Sequence, residues 1–170
     1  AILFASKIAD ERKGPDAALA LLNKMVEAGN VSNGIQIARS SLLRKAGKKA
    51  EAFTEIKKLA IDETDDANIL AELAKSQAEM GYLLDAIETA NKALKIDPEN
   101  SEMHLLIGTH QGRSGQLDLA IHHLVDAVRI DQKSIDGYLE LGEMYQQRRE
   151  YNLARKVYQD AIKANPKDAR

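Results

Sequence analysis

Four histidines lie within twenty residues of one another, and imidazoles grouped in this way could bind a transition metal or transfer protons. They are His104, His110, His122 and His123. Their spacing argues against both activities, because His104 and His110 would lie on different faces of a helix and no His-x3-His motif is present. We therefore expect no metal site and no catalytic histidine, and we expect the ring of His104 to serve mainly as packing surface.

A short acidic run could in principle bind calcium. It consists of Asp62, Glu63, Asp65 and Asp66. The run lacks the alternating acidic spacing and the glycine of a calcium loop, so a solvated loop between helices is expected. The chain has no cysteine, no phosphate-binding glycine loop and no nucleophile motif of the G-x-S-x-G type. These observations predict a protein that is not an enzyme and that carries no cofactor.

The composition is that of a soluble, folded chain. Hydrophobic residues make up 44% and charged residues 29%, and the formal net charge is −2. This charge balance predicts no nucleic-acid partner, and the absence of a long apolar run predicts no membrane insertion. A chain without cysteine fits the cytoplasm or the periplasm, and the cytoplasm is the expected location. Because the chain opens without Met in the apolar stretch Ala1–Phe4, we expect a fragment of a longer protein.

An internal repeat positions all of these residues. Alanines recur every 34 residues, and glycines follow the same step. The alanines are Ala18, Ala52, Ala86, Ala120 and Ala154, and the glycines are Gly47, Gly81 and Gly115. A period of this length marks a supersecondary unit that buries its apolar face by stacking on its neighbours. The sequence therefore predicts an all-α array of about five units.

The last unit shows what each copy contains. Its first half has the apolar spacing of one helix face, at Tyr138, Leu141, Gly142 and Tyr145. Its second half has an apolar stripe at Tyr151, Ala154, Val157, Tyr158, Ala161 and Ile162, which Asn165 and Pro166 should terminate. Each unit is thus predicted to be a pair of helices.

These residues carry a resemblance to the tetratricopeptide repeat family. Tyr138-x2-Leu141-Gly142-x2-Tyr145, Ala154-x3-Tyr158-x2-Ala161 and Pro166 follow its signature. Residues 67–100 and 101–134 follow in register, residues 33–66 are a weaker copy, and residues 1–32 are a partial one. In the weaker copy, Arg39 stands where a buried leucine is expected, so its first helix could instead present Ala38, Leu42 and Ala46. The resemblance implies a single array over residues 1–170, folded as a right-handed α-solenoid.

Small residues in the first helices should let the paired helices approach to about 8–10 Å. These positions are Ser6, Ser40, Ala74, Gly108 and Gly142. Gly47, Gly81 and Gly115 fall where a helix ends in a turn that often needs a positive φ. Arg149 occupies the equivalent place in the last unit, so either that turn differs or the arginine is strained.

The resemblance also implies a concave groove that is lined by the first helices and binds peptides. The fifth place of each unit holds Leu3, Ile37, Ala71, Leu105 and Leu139, and the ninth holds Lys7, Ser41, Lys75, Thr109 and Glu143. The partner-binding residues implied in this way are Ile37, Ser41, Arg44, Ala71, Lys75, Leu105, Thr109, Leu139 and Glu143. As an alternative, the apolar members could pack against neighbouring first helices.

Charge could orient a ligand in this groove. The N-terminal units carry Lys7, Arg44, Lys45 and Lys75, whereas the last first helix carries Asp136, Glu140 and Glu143. Ordinary solvated charges would give the same pattern. The basic clamp of the family's chaperone-binding members is absent, since Asn68 and Glu72 stand where the third repeat would need lysine and arginine.

The function predicted is that of a scaffold that binds a peptide or a helix of another protein. Two alternatives remain open. The array could be the targeting or regulatory arm of a larger enzyme, or it could self-assemble weakly through exposed repeat ends such as Ala161 and Ile162.

Overall fold

A computed structural model describes residues 2–29, 32–59 and 65–164. These ranges form ten helices and contain no strand. The helices are α1 (Ile2–Lys13), α2 (Pro15–Glu27), α3 (Asn33–Lys45), α4 (Lys49–Leu59), α5 (Ala67–Glu79), α6 (Leu83–Ile96), α7 (Ser101–Arg113), α8 (Leu117–Ile130), α9 (Ile135–Gln147) and α10 (Tyr151–Ala164). Two helices fall in each predicted repeat, which confirms the all-α architecture.

The chain divides into two compact units, and the division falls inside α6. Unit 1 is Ala1–Lys92 and unit 2 is Ala93–Arg170. In unit 1, α1 packs on α2, α2 on α3, α3 on α4 and α4 on α5. In unit 2, α7 packs on α8, α8 on α9 and α9 on α10.

The helices that open repeats begin at polar residues spaced 34 apart. Ser32 accepts a hydrogen bond from the amide of Ile35, and Asp66 accepts one from Asn68 at 2.9 Å. Asn100 and Ser134 repeat the arrangement before α7 and α9. Each cap satisfies an amide that has no partner within its helix. Asp66, which was expected to lie in a solvated loop, is therefore a helix cap, whereas Asp62 and Glu63 lie outside the described residues.

The turns inside the repeats share one backbone geometry. Gly47, Gly81 and Gly115 have φ of 78°, 86° and 81°, as predicted. Arg149 has φ of 62°, and the amide of Glu150 donates to the carbonyl of Tyr145 at 2.8 Å, as Gln116 does to Gln111 at 2.9 Å. This bond closes the left-handed turn that commonly ends a helix. The turn is thus unchanged, and the arginine adopts a conformation that L-residues avoid.

Small residues bring the paired helices together. The repeating alanines are all buried: Ala18, Ala52, Ala86 and Ala120 are fully inaccessible, and Ala154 nearly so. Ser6, Ser40, Ala74, Gly108 and Gly142 are buried as well. At Gly108, an added Cβ would lie 2.7 Å from Cγ of Leu124. All five small positions are therefore buried, as predicted for sites of close packing, and at Gly108 a larger side chain would have no room.

In the weaker repeat of unit 1, the small residue of the family pattern and the alternative apolar face are both turned toward the core. Ser40 is fully buried, and Leu42 belongs to a core cluster with Leu19, Leu22 and Leu43. Ala38 and Ala46 pack against the same cluster. Arg39 reaches Glu55 on α4, with 2.9 Å between Nη2 and Oε1, so an ion pair within the hairpin takes the place of the expected leucine.

The apolar stripe predicted on α10 is buried only at its centre. Ala154 is buried and Val157 packs against the core of unit 2, but Tyr151 is 64% exposed and Ile162 is 55% exposed. In the described part of the chain, α10 packs mainly on α9. The two ends of the stripe therefore face solvent. Asn165 and Pro166, which were expected to terminate the stripe, lie outside the described residues.

Candidate partner-binding surface

Five of the predicted binding residues lie in unit 1, on α3 and α5. Ile37 and Ser41 are half-buried, whereas Ala71 is only 6% exposed. Arg44 and Lys75 are also half-buried. Ala71 is thus buried in packing contacts, whereas the other four residues remain partly accessible.

A buried carboxylate organises the charges of this face. Glu72 is 3% exposed, and its Oε1 accepts a hydrogen bond from Nε of Arg44 at 2.8 Å. Ser40 Oγ lies 3.3 Å from the same oxygen, and Lys75 Nζ lies 3.6 Å from Oε2. Arg44 also binds Glu79. This network joins α3 to α5 and gives the buried carboxylate the partners that it requires.

Three of the four cations that we expected to make the N-terminal units basic are engaged within unit 1. Arg44 and Lys75 both bind Glu72, and Lys45 binds Asp10 on α1. Their charges are compensated by carboxylates of the same unit. Sequence inspection missed the interhelical pairs of Arg44 and Lys45 because their partners are 28 to 35 residues away.

In unit 2, the predicted residues lie on α7 and α9, which contact each other. Leu105 packs against the core cluster of Ile121, Leu124 and Leu141, so it is only partly accessible. Leu139 is 52% exposed. We call the surface formed by Leu105, Thr109, Leu139, Glu140 and Glu143 the α7–α9 face.

Carboxylates crowd the α7–α9 face. Asp136, Glu140 and Glu143 follow one another at the spacing of one helix side. Burial raises the pKa of Glu140, and the charges of Glu143 and Asp136 raise it further, against the opposing effect of Arg113 and a hydrogen bond from Thr109. Arg113 is 3.8 Å from Glu140. The acidic charge of this face is only partly neutralised by the protein itself.

The histidines are distributed over both helices of one hairpin. His104 and His110 lie on α7, and His122 and His123 lie on α8. Nδ1 of His104 is 3.1 Å from Nδ1 of His123, so the His104 ring makes a polar contact in addition to the expected packing. In the described ranges, no group of three or more histidine, aspartate or glutamate side chains converges as metal ligands would.

A second surface of unit 2 was not anticipated from the sequence. A groove of about 520 Å³ runs between α8, α9 and α10, with apolar walls that include Val125, Tyr138, Tyr145, Leu153 and Val157. Lys156 and Asp160 also line it. The residues come from three helices, so no local motif in the sequence predicts the groove.

Comparison with known proteins identifies the repeat. Residues 67–100 and 135–168 each match the family model of the tetratricopeptide repeat. No curated protein sequence matches the chain significantly. Among the described segments, none of the helices combines the length and the apolar character needed to cross a bilayer.

Solved structures show the same fold at low sequence identity. TTC0263, a thermophilic TPR protein of Thermus thermophilus, is 20% identical with a TM-score of 0.81 and is matched over 98% of this chain and 91% of its own. The Pseudomonas aeruginosa pilF protein is 19% identical with a TM-score of 0.81, over 96% of this chain and 75% of its own. YrrB, described as a TPR protein with an unusual peptide-binding site, is 15% identical with a TM-score of 0.67, over 98% and 86%. The chain thus carries two segments that match the tetratricopeptide repeat, and its fold is similar to that of solved TPR proteins.

Proposed function

We propose that this chain is a protein-interaction scaffold and that the α7–α9 face of unit 2 binds a peptide or a helix of a partner protein. The fold is one that generally serves as a non-catalytic scaffold, and the YrrB structure of the same fold carries a peptide-binding site. The remaining predicted residues, in unit 1, contribute less to the proposal because Arg44, Lys75 and Ala71 are engaged or buried.

The observation that carries the proposal is the exposure of Leu139 beside carboxylates that the protein neutralises only in part. A leucine that is half exposed on a helix gives a partner an apolar anchor, and full burial of such a side chain contributes about 1.5–3 kcal/mol. Glu143 and Asp136 next to it add about 0.2–1 kcal/mol each for a partner of opposite charge. Apolar contact should therefore set the affinity, while charge sets selectivity and salt dependence.

The ligand that fits this face is an extended or helical segment with an apolar side chain flanked by lysine or arginine. A basic side chain near Glu140 would relieve the repulsion among the three carboxylates. An acidic segment would add to that repulsion, and specificity can arise from such a mismatch. The absence of a basic clamp agrees with a preference against acidic tails.

The test measures binding of the chain to an array of synthetic peptides, in which each basic, leucine-containing peptide has a charge-reversed counterpart. Leu139→Glu should abolish capture of the basic peptides, and Leu139→Ala should weaken it about tenfold. Leu119→Glu is the matched control, because Leu119 is 53% exposed but lies on α8. Circular dichroism of all three variants verifies the fold. Equal capture by Leu139→Glu and the wild type, or equal capture of both peptide charges, would overturn the proposal.

Self-assembly is a second candidate, favoured by the exposed apolar ends of α10. Tyr151 and Ile162 are both more than half exposed on a helix whose centre is buried. Sedimentation velocity over a wide concentration range tests this candidate. Replacement of both residues by Ser should abolish any concentration dependence, whereas a wild-type monomer at every concentration excludes self-assembly. The other alternative, a targeting arm of a larger enzyme, is tested by the full reading frame.

A further inference from the structure

Two histidine rings meet between the helices of the α7–α8 hairpin. Their Nδ1 atoms are 3.1 Å apart, and the ring centroids of His104 and His123 are 5.3 Å apart with the planes tilted by 42°. The other nitrogen of His104, Nε2, lies 3.1 Å from the carbonyl oxygen of Pro98. A carbonyl oxygen only accepts, so Nε2 carries the hydrogen and donates it. In neutral His104, the lone pair of Nδ1 is therefore directed toward His123.

We propose that His104 and His123 form a two-imidazole site for a divalent transition-metal ion that prefers nitrogen ligands, such as Zn²⁺, Ni²⁺ or Cu²⁺, with water in the remaining coordination positions. Imidazole nitrogens lie about 2.0–2.1 Å from such an ion, which places two adjacent ligands about 2.9–3.4 Å apart. The observed separation of 3.1 Å falls in this range. The two rings thus hold their nitrogens at the spacing of one coordination edge.

The Pro98 carbonyl strengthens this assignment. Histidines that bind metals commonly donate their other ring N–H to a backbone carbonyl, which fixes the tautomer and the ring orientation. The contact from His104 Nε2 to Pro98 is such an interaction. It leaves Nδ1 of His104 as the ligand atom and holds it against rotation.

The protons balance without a further reactant. In the metal-free pair, Nδ1 of His123 donates to Nδ1 of His104. When the ion takes both lone pairs, the proton of His123 moves through solvent to its own Nε2, so two neutral rings bind the ion with no net proton release. The neutral imidazole is the form that binds metals.

Among the described residues, no neighbouring group completes the coordination sphere. Asp126 is held by Arg129 at 3.2 Å, and His122 stacks edge-on against His123 with centroids 5.8 Å apart. Because the described residues offer two ligands, the site should exchange its ion readily, unlike a closed structural zinc site. A bound ion would join α7 to α8 and stabilise the hairpin, by an amount that rises with the logarithm of the ion concentration once the site is occupied.

The experiment titrates the full chain, freed of metal by a chelator, with Zn²⁺, Ni²⁺ and Cu²⁺, and with Mg²⁺ as an ion that prefers oxygen ligands. We expect one nitrogen-preferring ion per chain by calorimetry and a rise in the thermal midpoint that a chelator reverses, with neither effect for Mg²⁺. His104→Gln and His123→Gln should each weaken binding by at least about tenfold.

Two matched variants make the result specific. His110→Gln removes a histidine of α7 outside the pair, and His122→Gln removes the neighbouring ring on α8; both should retain the stoichiometry and most of the affinity. Circular dichroism checks that every variant folds. Equal metal binding by His104→Gln, His123→Gln and the wild type would overturn the site. So would the absence of any metal-dependent heat or midpoint shift, which would identify the contact as a hydrogen bond only.

Discussion

The ring of Tyr158 on α10 lies across Gly142 on α9. A Cβ built at Gly142 would be 2.3 Å from Cε1 of Tyr158 and 2.4 Å from Cζ, well inside contact distance. The tyrosine therefore occupies the volume that any other residue at position 142 would need. A side chain at position 142 would therefore require the Tyr158 ring or the helix to shift.

Gly142→Ala should lower the free energy of unfolding. Helix propensity alone favours alanine by roughly 1 kcal/mol, but overpacking costs about 1–3 kcal/mol, so we expect a net loss of about 1 kcal/mol by urea denaturation. Tyr158→Leu in the same chain should recover the loss, because it removes the ring atoms.

Gly108→Ala should cost at least as much free energy of unfolding as Gly142→Ala, since its Cβ would meet the fully buried Leu124 and, at 3.1 Å, the backbone carbonyl of Ala120. A gain in stability for both glycine variants would contradict the close approach of the helices.

Arg149→Gly should stabilise the protein. A left-handed conformation costs an L-residue roughly 1–2 kcal/mol, and glycine gives back part of that gain through its greater freedom in the unfolded state, so the net effect is about 0.5–1 kcal/mol. The reverse control is Gly115→Ala at the same turn of the preceding repeat, where no atom lies within 4 Å of the added Cβ. Gly115→Ala should destabilise the protein by a similar amount, which the shift of the urea unfolding midpoint measures. Equal stability of Arg149→Gly and the wild type would mean that the arginine makes a compensating contact.

Glu72→Ala should destabilise the protein strongly. The side chains of Arg44 and Glu72 are 14% and 4% exposed, and loss of one member of a buried ion pair costs about 3–5 kcal/mol. Glu79→Ala, which removes the more exposed carboxylate bound by Arg44, should cost less than about 1 kcal/mol. Thermal unfolding of the two variants measures the difference. A similar cost for both would show that the network acts as one unit.

Glu140→Gln should stabilise the protein at neutral pH. The pKa of Glu140 is raised in the folded state, so the folded chain favours the protonated form, and stability is lost as the pH rises through the folded pKa. The uncharged amide avoids that loss, so the variant should have the higher thermal midpoint at pH 7. Its advantage should shrink as the pH falls through the raised pKa and should be lost below about 4.5.

Glu88→Gln is the opposite control. Lys92 lowers the pKa of Glu88, so this charge is favourable at neutral pH and its removal should lower the midpoint slightly. Stability changes of the same sign in the two variants would contradict the electrostatic assignment.

Protonation should weaken unit 2 at mildly acidic pH. Burial lowers the pKa of both His110 and His123 below the ordinary value of 6.5, so the unfolded chain binds more protons in the window just below that value. The contribution of these neutral histidines to the free energy of unfolding is fully present above pH 6.5. It falls as the pH drops toward their folded pKa values. Urea midpoints between about pH 7.5 and about pH 5 measure the slope. His110→Gln and His123→Gln should each flatten it, and an unchanged slope in both would exclude these groups as its source.

The sequence predicts features that depend on the period alone. The alanines, the glycine turns and the small residues recur every 34 positions because each repeat needs the same close approach and the same left-handed turn. The cap residues Ser32, Asp66, Asn100 and Ser134 follow the same step, although their capping role was not anticipated from the sequence and Asp66 was expected to lie in a loop. At Arg149 the packing of the repeat outweighs the backbone preference of the residue, since an arginine is held at the positive φ that glycine adopts in the other repeats.

Features that depend on which side chains meet across helices could not be predicted. Arg44 reaches Glu72 and His104 reaches His123 through rotamers and interhelical distances that are not visible in spacing. Exposure within an apolar stripe also escapes the sequence: Ala71 is buried and Leu139 is not, although both occupy the fifth place of a repeat. The predicted binding residues remain a prediction for this reason, and the peptide array tests them.

The packing pattern of the helices bears on how fast the chain folds. In the described segments, helices that pack together are adjacent or next but one along the chain. Chain loops that close over such short separations lose little entropy, and proteins dominated by local contacts fold in microseconds to milliseconds. Hairpins such as α7–α8 should therefore form early and independently. A destabilising substitution in one hairpin should increase local unfolding of that hairpin more than it slows the folding of the others.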